Sequence, residues 1–139
     1  MTLEFDRTIL GSEFDRTEHG AVTADEIREY LAASTEGPVP SADATDIVAP
    51  PTFVVRMRGR RFMPQDLPKL GTTGFDAGKD IEFGVPVRPG DQVTSVSTVH
   101  DIYEKTGRTG SMAFVVLRTV LTNQREQIVA IIDQKVMIR

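Results

Sequence analysis

The C-terminal half of this sequence constrains the fold most, because it contains four long stretches with the patterning or the composition of β-strands. Between residues 80 and 87, Ile, Phe and Val alternate with polar or small side chains, which is typical of a half-buried β-strand. The later stretches are rich in Val, Thr and Ile, residues that favour strands. Turn-forming residues such as Arg88-Pro89-Gly90-Asp91 separate the stretches. Strands are therefore expected over residues 80–87, 92–104, 112–121 and 128–138.

Four consecutive strands joined by short turns predict an antiparallel meander. The third strand is apolar on both faces, so it is expected at the centre of the sheet and covered on both sides. The last two strands carry more apolar surface than one short helix can cover. The outer face or an edge of the sheet is therefore expected to meet another subunit.

The N-terminal half predicts one clear helix over residues 24–33. Thr23 and Glu26 have the spacing of a capping box, which marks a helix start. Three apolar side chains at helical spacing then share one face: Ile27, Tyr30 and Leu31.

A proline-rich loop is expected over residues 34–51, followed by a second, shorter helix over residues 52–60. Pro50-Pro51 suits the first turn of that helix, and the Phe53 segment is expected to lie inside the curve of the sheet. Residues 1–22 show no clear pattern, and residues 61–78 are expected to be irregular.

Composition bounds the functional classes. The length of 139 residues suits a single domain over residues 1–139, and the net charge of −4 argues against nucleic-acid binding through a broad positive field. The absence of cysteine excludes thiol catalysis and zinc knuckles, and two histidines leave no His-rich metal site. No apolar run approaches the roughly 18 residues of a membrane span. A cytoplasmic protein without a metal is expected.

Four stretches together resemble the MaoC-type hot-dog dehydratases, in their N-terminal, fatty-acid-synthase-like branch, across roughly residues 20–139. The stretches are residues 22–31, Ile47-Val48-Ala49-Pro50-Pro51-Thr52-Phe53, Ile81-Glu82-Phe83 followed by Val87-Arg88-Pro89-Gly90-Asp91, and residues 101–105 with Gly107, Arg108 and Gly110. The resemblance implies an α+β hot-dog fold, in which a long antiparallel sheet of five or six strands wraps around a central helix. It also implies paired domains and acyl thioester substrates carried by coenzyme A or acyl carrier protein, with no separate cofactor.

The family's catalytic loop is where this chain departs from the pattern. In the family, the Asp and His of an Asp-x-Asn-Pro-x-His motif activate the water that adds to an enoyl thioester. The equivalent loop here is Thr35-Glu36-Gly37-Pro38-Val39-Pro40, which puts Thr35 at the Asp position and Pro40 at the His position. Proline has no proton to transfer, and threonine is no base near neutral pH.

The resemblance therefore implies a non-catalytic, substrate-shaping subunit of an (R)-type enoyl-CoA hydratase or 3-hydroxyacyl-thioester dehydratase in lipid metabolism. A hot-dog partner subunit would supply the Asp-x-Asn-Pro-x-His motif. Two alternatives stay open. The chain acts alone with an atypical acid, Asp76 or Glu36, or it is a catalytically silent acyl-CoA-binding dimer.

Several residues are candidates for contact with an acyl thioester. Relatives carry a His near the position of Asp76, so Asp76 either faces the tunnel or is a turn residue bonded to its own backbone. Three cations are candidates for the phosphates of coenzyme A, or else ordinary hairpin charges: Arg108 first, then Arg88 and Lys105. Three apolar residues are candidates for an acyl channel, or else for the core: Phe53, Tyr103 and Met112.

Two further groups stand out. A basic cluster in this acidic chain suits a phosphate or an acidic partner, or else is a solvated helix end: Arg56, Arg58, Arg60 and Arg61. Asp15 and His19 have the residue types of the dyad, but they precede the first helix and lack the Asn-Pro spacer. They are expected to be a solvated surface pair. His100 and Asp101 are neighbours on one strand and are expected to face opposite ways.

Overall fold

A computed structural model describes residues 4–34 and 37–139 of the chain. One antiparallel sheet of five strands, in the order β1-β3-β4-β5-β2, dominates the described residues. The strands are β1 (Glu13–Ala21), β2 (Gly74–Phe83), β3 (Gln92–Gly107), β4 (Gly110–Thr122) and β5 (Ile128–Ile138). The helical elements are α1 (Ala24–Ser34), a 3₁₀ helix (Pro51–Arg56) and a 3₁₀ turn (Arg7–Ile9). The predicted α+β class and antiparallel sheet are confirmed, but the predicted meander holds only for β3, β4 and β5, because β2 pairs with β5 at the far edge of the sheet.

Strand β1 corrects the expectation that residues 1–22 lack a pattern. It pairs antiparallel with β3 at the edge of the sheet. Phe14 is its one large apolar side chain and polar residues lie on both faces, so no alternation of apolar and polar side chains marks it in the sequence. Strand β2 also begins earlier and ends earlier than the predicted 80–87, which places residues 85 and 87 in the following loop.

The first predicted helix is confirmed, and the second differs from its prediction. Helix α1 starts as expected, with the Glu26 amide donating to Thr23 Oγ1 at 3.1 Å. The predicted helix over residues 52–60 is instead the 3₁₀ helix, which ends at Arg56. Valines lower the helical propensity of this segment, and its continuation passes over the sheet, where Gly59 packs directly on the Asp15 carboxylate.

One face of the sheet, here called the inner face, packs against the helical elements. Near α1 and the 3₁₀ helix, one apolar cluster includes Ile27, Phe53 and Leu121. A second cluster, centred on Val99 and Val115, packs against the segments before β1 and β2. The core of the described residues is therefore in two parts, with a band of sheet between them.

Strand β4 lies at the centre of the sheet, as predicted. Its inner side chains are buried, but Phe114 and Val120 on the outer face keep partial exposure, so full cover on both sides is wrong for this chain alone. On the outer face, Arg118 and Asp133 form a bidentate pair with two contacts of 2.8 Å. The hairpin of β3 and β4 runs past the ends of its neighbouring strands, because the last cross-strand pair between β4 and β5 joins Ala113 to Ile138.

Candidate functional site

A row of buried polar side chains crosses the inner face between the two apolar clusters. It consists of Thr17, Ser95, Ser97, Thr119 and Gln134, each at most 9% exposed. The strand register puts Thr17 opposite Ser95 and Ser97 opposite Thr119. The Ser97 and Thr119 hydroxyls lie 2.8 Å apart and satisfy each other, as buried polar groups must. The middle of the inner face is therefore polar without carrying a charge.

His19 joins this row to the chain segment above it. Its Nε2 lies 2.8 Å from Ser95 Oγ, and the ring also bonds the main-chain carbonyl of Met57. Partial burial lowers the pKa of His19 below its ordinary value, against the raising effect of the Asp15 carboxylate. The imidazole is therefore neutral at pH 7 and ties strand β1 to the residues after the 3₁₀ helix.

Asp15, four residues before His19 on β1, also holds the segment that follows the 3₁₀ helix. Its carboxylate accepts bonds from Thr17 Oγ1 at 2.8 Å and from the Arg61 amide at 3.2 Å. Asp15 and His19 are thus partly buried and bonded, and the expectation of a solvated surface pair is wrong. Four residues along a strand separate their Cα atoms by ~13 Å, too far for both to hold one water.

A narrow cavity of about 40 Å³ lies between this segment and the sheet. Ser97, Thr119 and Gln134 contribute polar groups to its lining. Its apolar walls are formed by Phe14, Val55, Phe62, Leu117 and Ile132, and its remaining lining residues are Arg58, Gly59, Arg61 and Lys79. Lys79 stands directly across from Gln134 in the strand register, so its side chain is on the inner face. We call this space the inner-face pocket.

The Asp76 side chain is hydrogen-bonded to the backbone of its own strand, β2. It lies beside an irregularity in the pairing of β2 with β5, where its Oδ1 accepts from the Gly78 amide and from Gln134 Nε2, both at 2.8 Å. The bond from the Gly78 amide, followed by that from Gln134, holds the pKa of Asp76 below its usual range. This geometry is that of the turn residue, and a carboxyl with a lowered pKa is a poor proton donor at neutral pH.

The cations proposed for coenzyme A are far apart. Arg88 precedes β3 and pairs with Asp46 at 3.1 Å, whereas Arg108 lies in the turn after β3. A strand of 16 residues spans on the order of 50 Å, so these two arginines do not meet one ligand. Lys105 lies over the rings of Tyr103 and Phe114, near the Arg108 end.

The apolar candidates are divided between two faces of the sheet. Phe53 is 1% exposed in the inner core and packs edge-on against Tyr30, with ring centroids 5.4 Å apart. Tyr103 stacks on Phe114 at 5.2 Å on the outer face of the hairpin, where Met112 is also located. The structure therefore does not bring Phe53 together with Tyr103 and Met112.

The loop equivalent to the family's catalytic motif is irregular from Gly37 onward. Thr35 and Glu36, which include one of the candidate acids, lie outside the described residues. The second histidine, His100, is exposed on β3 at the bulge before Asp101, and its charge acts on Asp133. Both carboxylate oxygens of Asp133 are already bonded to Arg118.

Sequence reasoning singled out the arginine cluster but missed the polar row. The signal was present in β3, where Ser95 and Ser97 occupy the same alternate positions as Val93 and Val99. Small hydroxyl residues at positions that the pattern assigns to the core indicate a buried polar contact. Nothing in the sequence shows that Thr119 and Gln134 would lie beside them.

Within the described residues there is no cluster of three His, Asp or Glu side chains suited to a metal ion. No helix in residues 4–34 or 37–139 has the length and apolar character needed to cross a membrane.

The model of one protein family, the FAS1-like dehydratase domain region, matches residues 8–132. No match is found among the curated proteins. Among solved structures, the chain is similar to a MaoC-like dehydratase from Rhodospirillum rubrum, with 22% identity, a TM-score of 0.66, and coverage of 93% of this chain and 91% of that one.

Two structures of complexes from Mycobacterium tuberculosis are also similar. The ChsH1-ChsH2 complex matches with 18% identity and a TM-score of 0.67, covering 91% of this chain and 83% of the other. The HadBC (3R-hydroxyacyl-ACP dehydratase) complex matches with 20% identity and a TM-score of 0.62, covering 97% and 99%. At these identities the solved structures establish the fold, and the predicted hot-dog architecture is confirmed.

Proposed function

We propose a function from one premise: the chain belongs to the family of FAS1-like dehydratase domains. In this proposal it is the non-catalytic, substrate-shaping subunit of an (R)-type enoyl-CoA hydratase or 3-hydroxyacyl-thioester dehydratase. Such an enzyme adds water to a double bond conjugated to a thioester, or removes it. A partner hot-dog subunit supplies the Asp and His that transfer the protons, and the reactants are water and the thioester on its acyl carrier.

The observation that carries the proposal is that the two carboxylates in electrostatic contact with the histidines, Asp15 with His19 and Asp133 with His100, are already bonded to other groups. Asp15, near His19, is bonded to the Arg61 amide and Thr17. Asp133, near His100, is held on both oxygens by Arg118. General acid–base hydration needs a base and an acid that converge on one water, and these residues do not form such a pair.

The exposed edge of the sheet supports the presence of a partner. Strand β2 is an edge strand, and all of its residues except Ile81 are exposed. Phe75 and Phe83, near its two ends, are 42% and 49% exposed. Grooves of about 420 Å³ and 100 Å³ lie beside these two residues. The other edge strand, β1, carries none of the exposed large apolar side chains in the described residues.

Unpaired backbone groups next to exposed aromatic rings suit pairing with a strand of another domain. Two of the similar folds come from structures of the ChsH1-ChsH2 and HadBC complexes. We therefore infer that the partner pairs along β2, and that this chain contributes a wall of the substrate tunnel.

The test is a hydration assay with crotonyl-CoA. We expect the purified chain alone to show no hydration, and activity to appear on adding a partner that carries Asp-x-Asn-Pro-x-His. Where a neighbouring gene encodes a chain of similar length with this motif, that chain is the partner to test. A matched control uses the same partner with its motif His changed to Ala, which should abolish the activity of the pair.

The two alternative functions give different results. A self-sufficient hydratase is active alone and loses activity in Asp76→Asn or Glu36→Gln. A silent acyl-CoA-binding dimer gives no hydration in either condition. Appreciable turnover by the isolated chain, or no turnover with a competent partner, contradicts the proposal.

A further inference from the structure

Five cations near the inner-face pocket form no ion pair within the described residues, although Lys79 acts electrostatically on the Asp76 carboxylate. The described part of the chain contains five ion pairs, and their cations are Arg16, Arg28, Arg88, Arg118 and Lys135. The cations of residues 56–61 and Lys79 take part in none of them: Arg56, Arg58, Arg60 and Arg61 are all exposed, as is Lys79. In a chain with a net charge of −4, so many unpaired cations in one region create a local positive field.

Neighbouring contacts hold some of these cations without neutralising them. Arg58 lies over the Phe62 ring at 5.5 Å and Arg56 over the Phe53 ring at 5.1 Å. A cation–π contact fixes a guanidinium but leaves its N–H donors available at the edge. Asp15 is the acidic side chain packed on this segment, and its oxygens are used by the Arg61 amide and by Thr17.

Three of the cations meet at one opening. Arg58, Arg61 and Lys79 line the inner-face pocket, and they come from two separate elements, the segment after the 3₁₀ helix and strand β2. Inside the pocket, the Ser97 and Thr119 hydroxyls are buried and bond each other, so the ligand site is at the mouth. Three exposed cations from two elements at this mouth suit the anionic end of a ligand.

We propose that Arg58, Arg61 and Lys79 bind the phosphate of a phosphopantetheine-linked acyl thioester at the mouth of the inner-face pocket. Phosphate is a dianion or a diester anion that accepts bidentate bonds from arginine, and the pantetheine arm beyond it carries amides. Coenzyme A and a carrier protein share this group. The inference rests on the proposed function, because it assigns the part of the substrate that this subunit holds.

The experiment measures binding of coenzyme A, 4′-phosphopantetheine and pantetheine to the full chain by calorimetry at low salt. We expect the two phosphate-bearing compounds to bind at least about tenfold more tightly than pantetheine. The double variant Arg58→Gln/Arg61→Gln and the single variant Lys79→Met should remove that preference. The matched control Arg16→Gln/Arg125→Gln removes two cations elsewhere and should retain it, and circular dichroism checks that each variant is folded.

A second arm identifies the source of the phosphate. Acyl carrier protein is compared with and without its phosphopantetheine, and only the loaded form should show the effect of the arginine variants. Equal binding of coenzyme A and pantetheine, equal losses in the control, or equal binding of both carrier forms overturns the proposal. The proposal is also overturned if the double variant loses association with the partner subunit but keeps its phosphate binding.

Failure here is separable from failure of the proposed function. Activity with the dyad-bearing partner combined with no phosphate preference rejects only the role of the three cations. Hydration by the isolated chain rejects the non-catalytic role, whatever the binding results show.

Discussion

Replacing Phe53 by alanine tests whether this ring is core or the wall of an open channel. The ring is 1% exposed and is among the largest fully buried side chains. It packs edge-on against Tyr30, whose hydroxyl lies 2.6 Å from Thr52 Oγ1. It joins the 3₁₀ helix, α1 and the sheet in one cluster. No rearrangement of a few side chains refills a space bounded by three elements.

Phe→Ala at such a site removes buried apolar surface and leaves a cavity, which costs ~3–5 kcal/mol of unfolding free energy. For a chain of this size, that loss lowers the urea midpoint by ~2 M. The chain has no tryptophan, so circular dichroism in the strand region is the suitable probe. Phe53→Leu keeps most of the volume and should cost less than ~1.5 kcal/mol, which provides a variant that stays folded.

The matched control is Phe83→Ala, at a ring that is 49% exposed, where the loss should stay below ~1 kcal/mol. Unfolding free energies of Phe53→Ala and Phe83→Ala that agree within error would refute the interpretation of Phe53 as core. The ring would then face a space already open, and its place in an acyl channel would need to be reconsidered.

Two further predictions concern the sheet. A Cβ at Gly84 would collide with the main-chain oxygen of Ile128, so Gly84→Ala should lower the unfolding free energy by about 2 kcal/mol or more, and an unchanged urea midpoint would contradict this. The Arg118 side chain lowers the pKa of Asp133, so this pair stabilises the fold above the ordinary aspartate pKa and loses its effect as the pH falls through the lowered value. Asp133→Asn should therefore cost about 1 kcal/mol at pH 7 and progressively less in acid, measured by urea unfolding across pH. Asp46→Asn, which breaks an exposed ion pair, should show little of this dependence.

Local sequence patterns were enough to predict much of the fold. Strand β5 and helix α1 have strong signals, a stretch rich in Ile and Val in one and a capping box in the other, and both were predicted within a residue. Strand β1 was missed because its inner face carries Asp15, Thr17 and His19, and its outer face carries the charged Arg16 and Glu18, so no face of the strand reads as apolar. Tertiary pairing with β3 decides its conformation, and no local pattern reports that pairing.

The candidate site was less accessible to sequence reasoning. The arginine cluster was visible as a run, but Lys79, which shares the pocket with it, is 18 residues beyond Arg61 and joins it only through the pairing of β2 with β5. Arg88 and Arg108 were grouped by residue type, although a whole strand separates them. A site assembled from several strands depends on their register, which one sequence without its fold does not specify.

The extension of the β3–β4 hairpin past its neighbouring strands affects the local stability of the sheet. Between Ala113 and the tip of the hairpin, β3 and β4 pair only with each other, and residues 105–111 are exposed. Because only one neighbouring strand holds this part of each strand, it opens from the tip more easily than the centre of the sheet. Its amide protons should therefore exchange with deuterium long before those at the centre of β4. The tip of this hairpin is thus the less protected end of both strands.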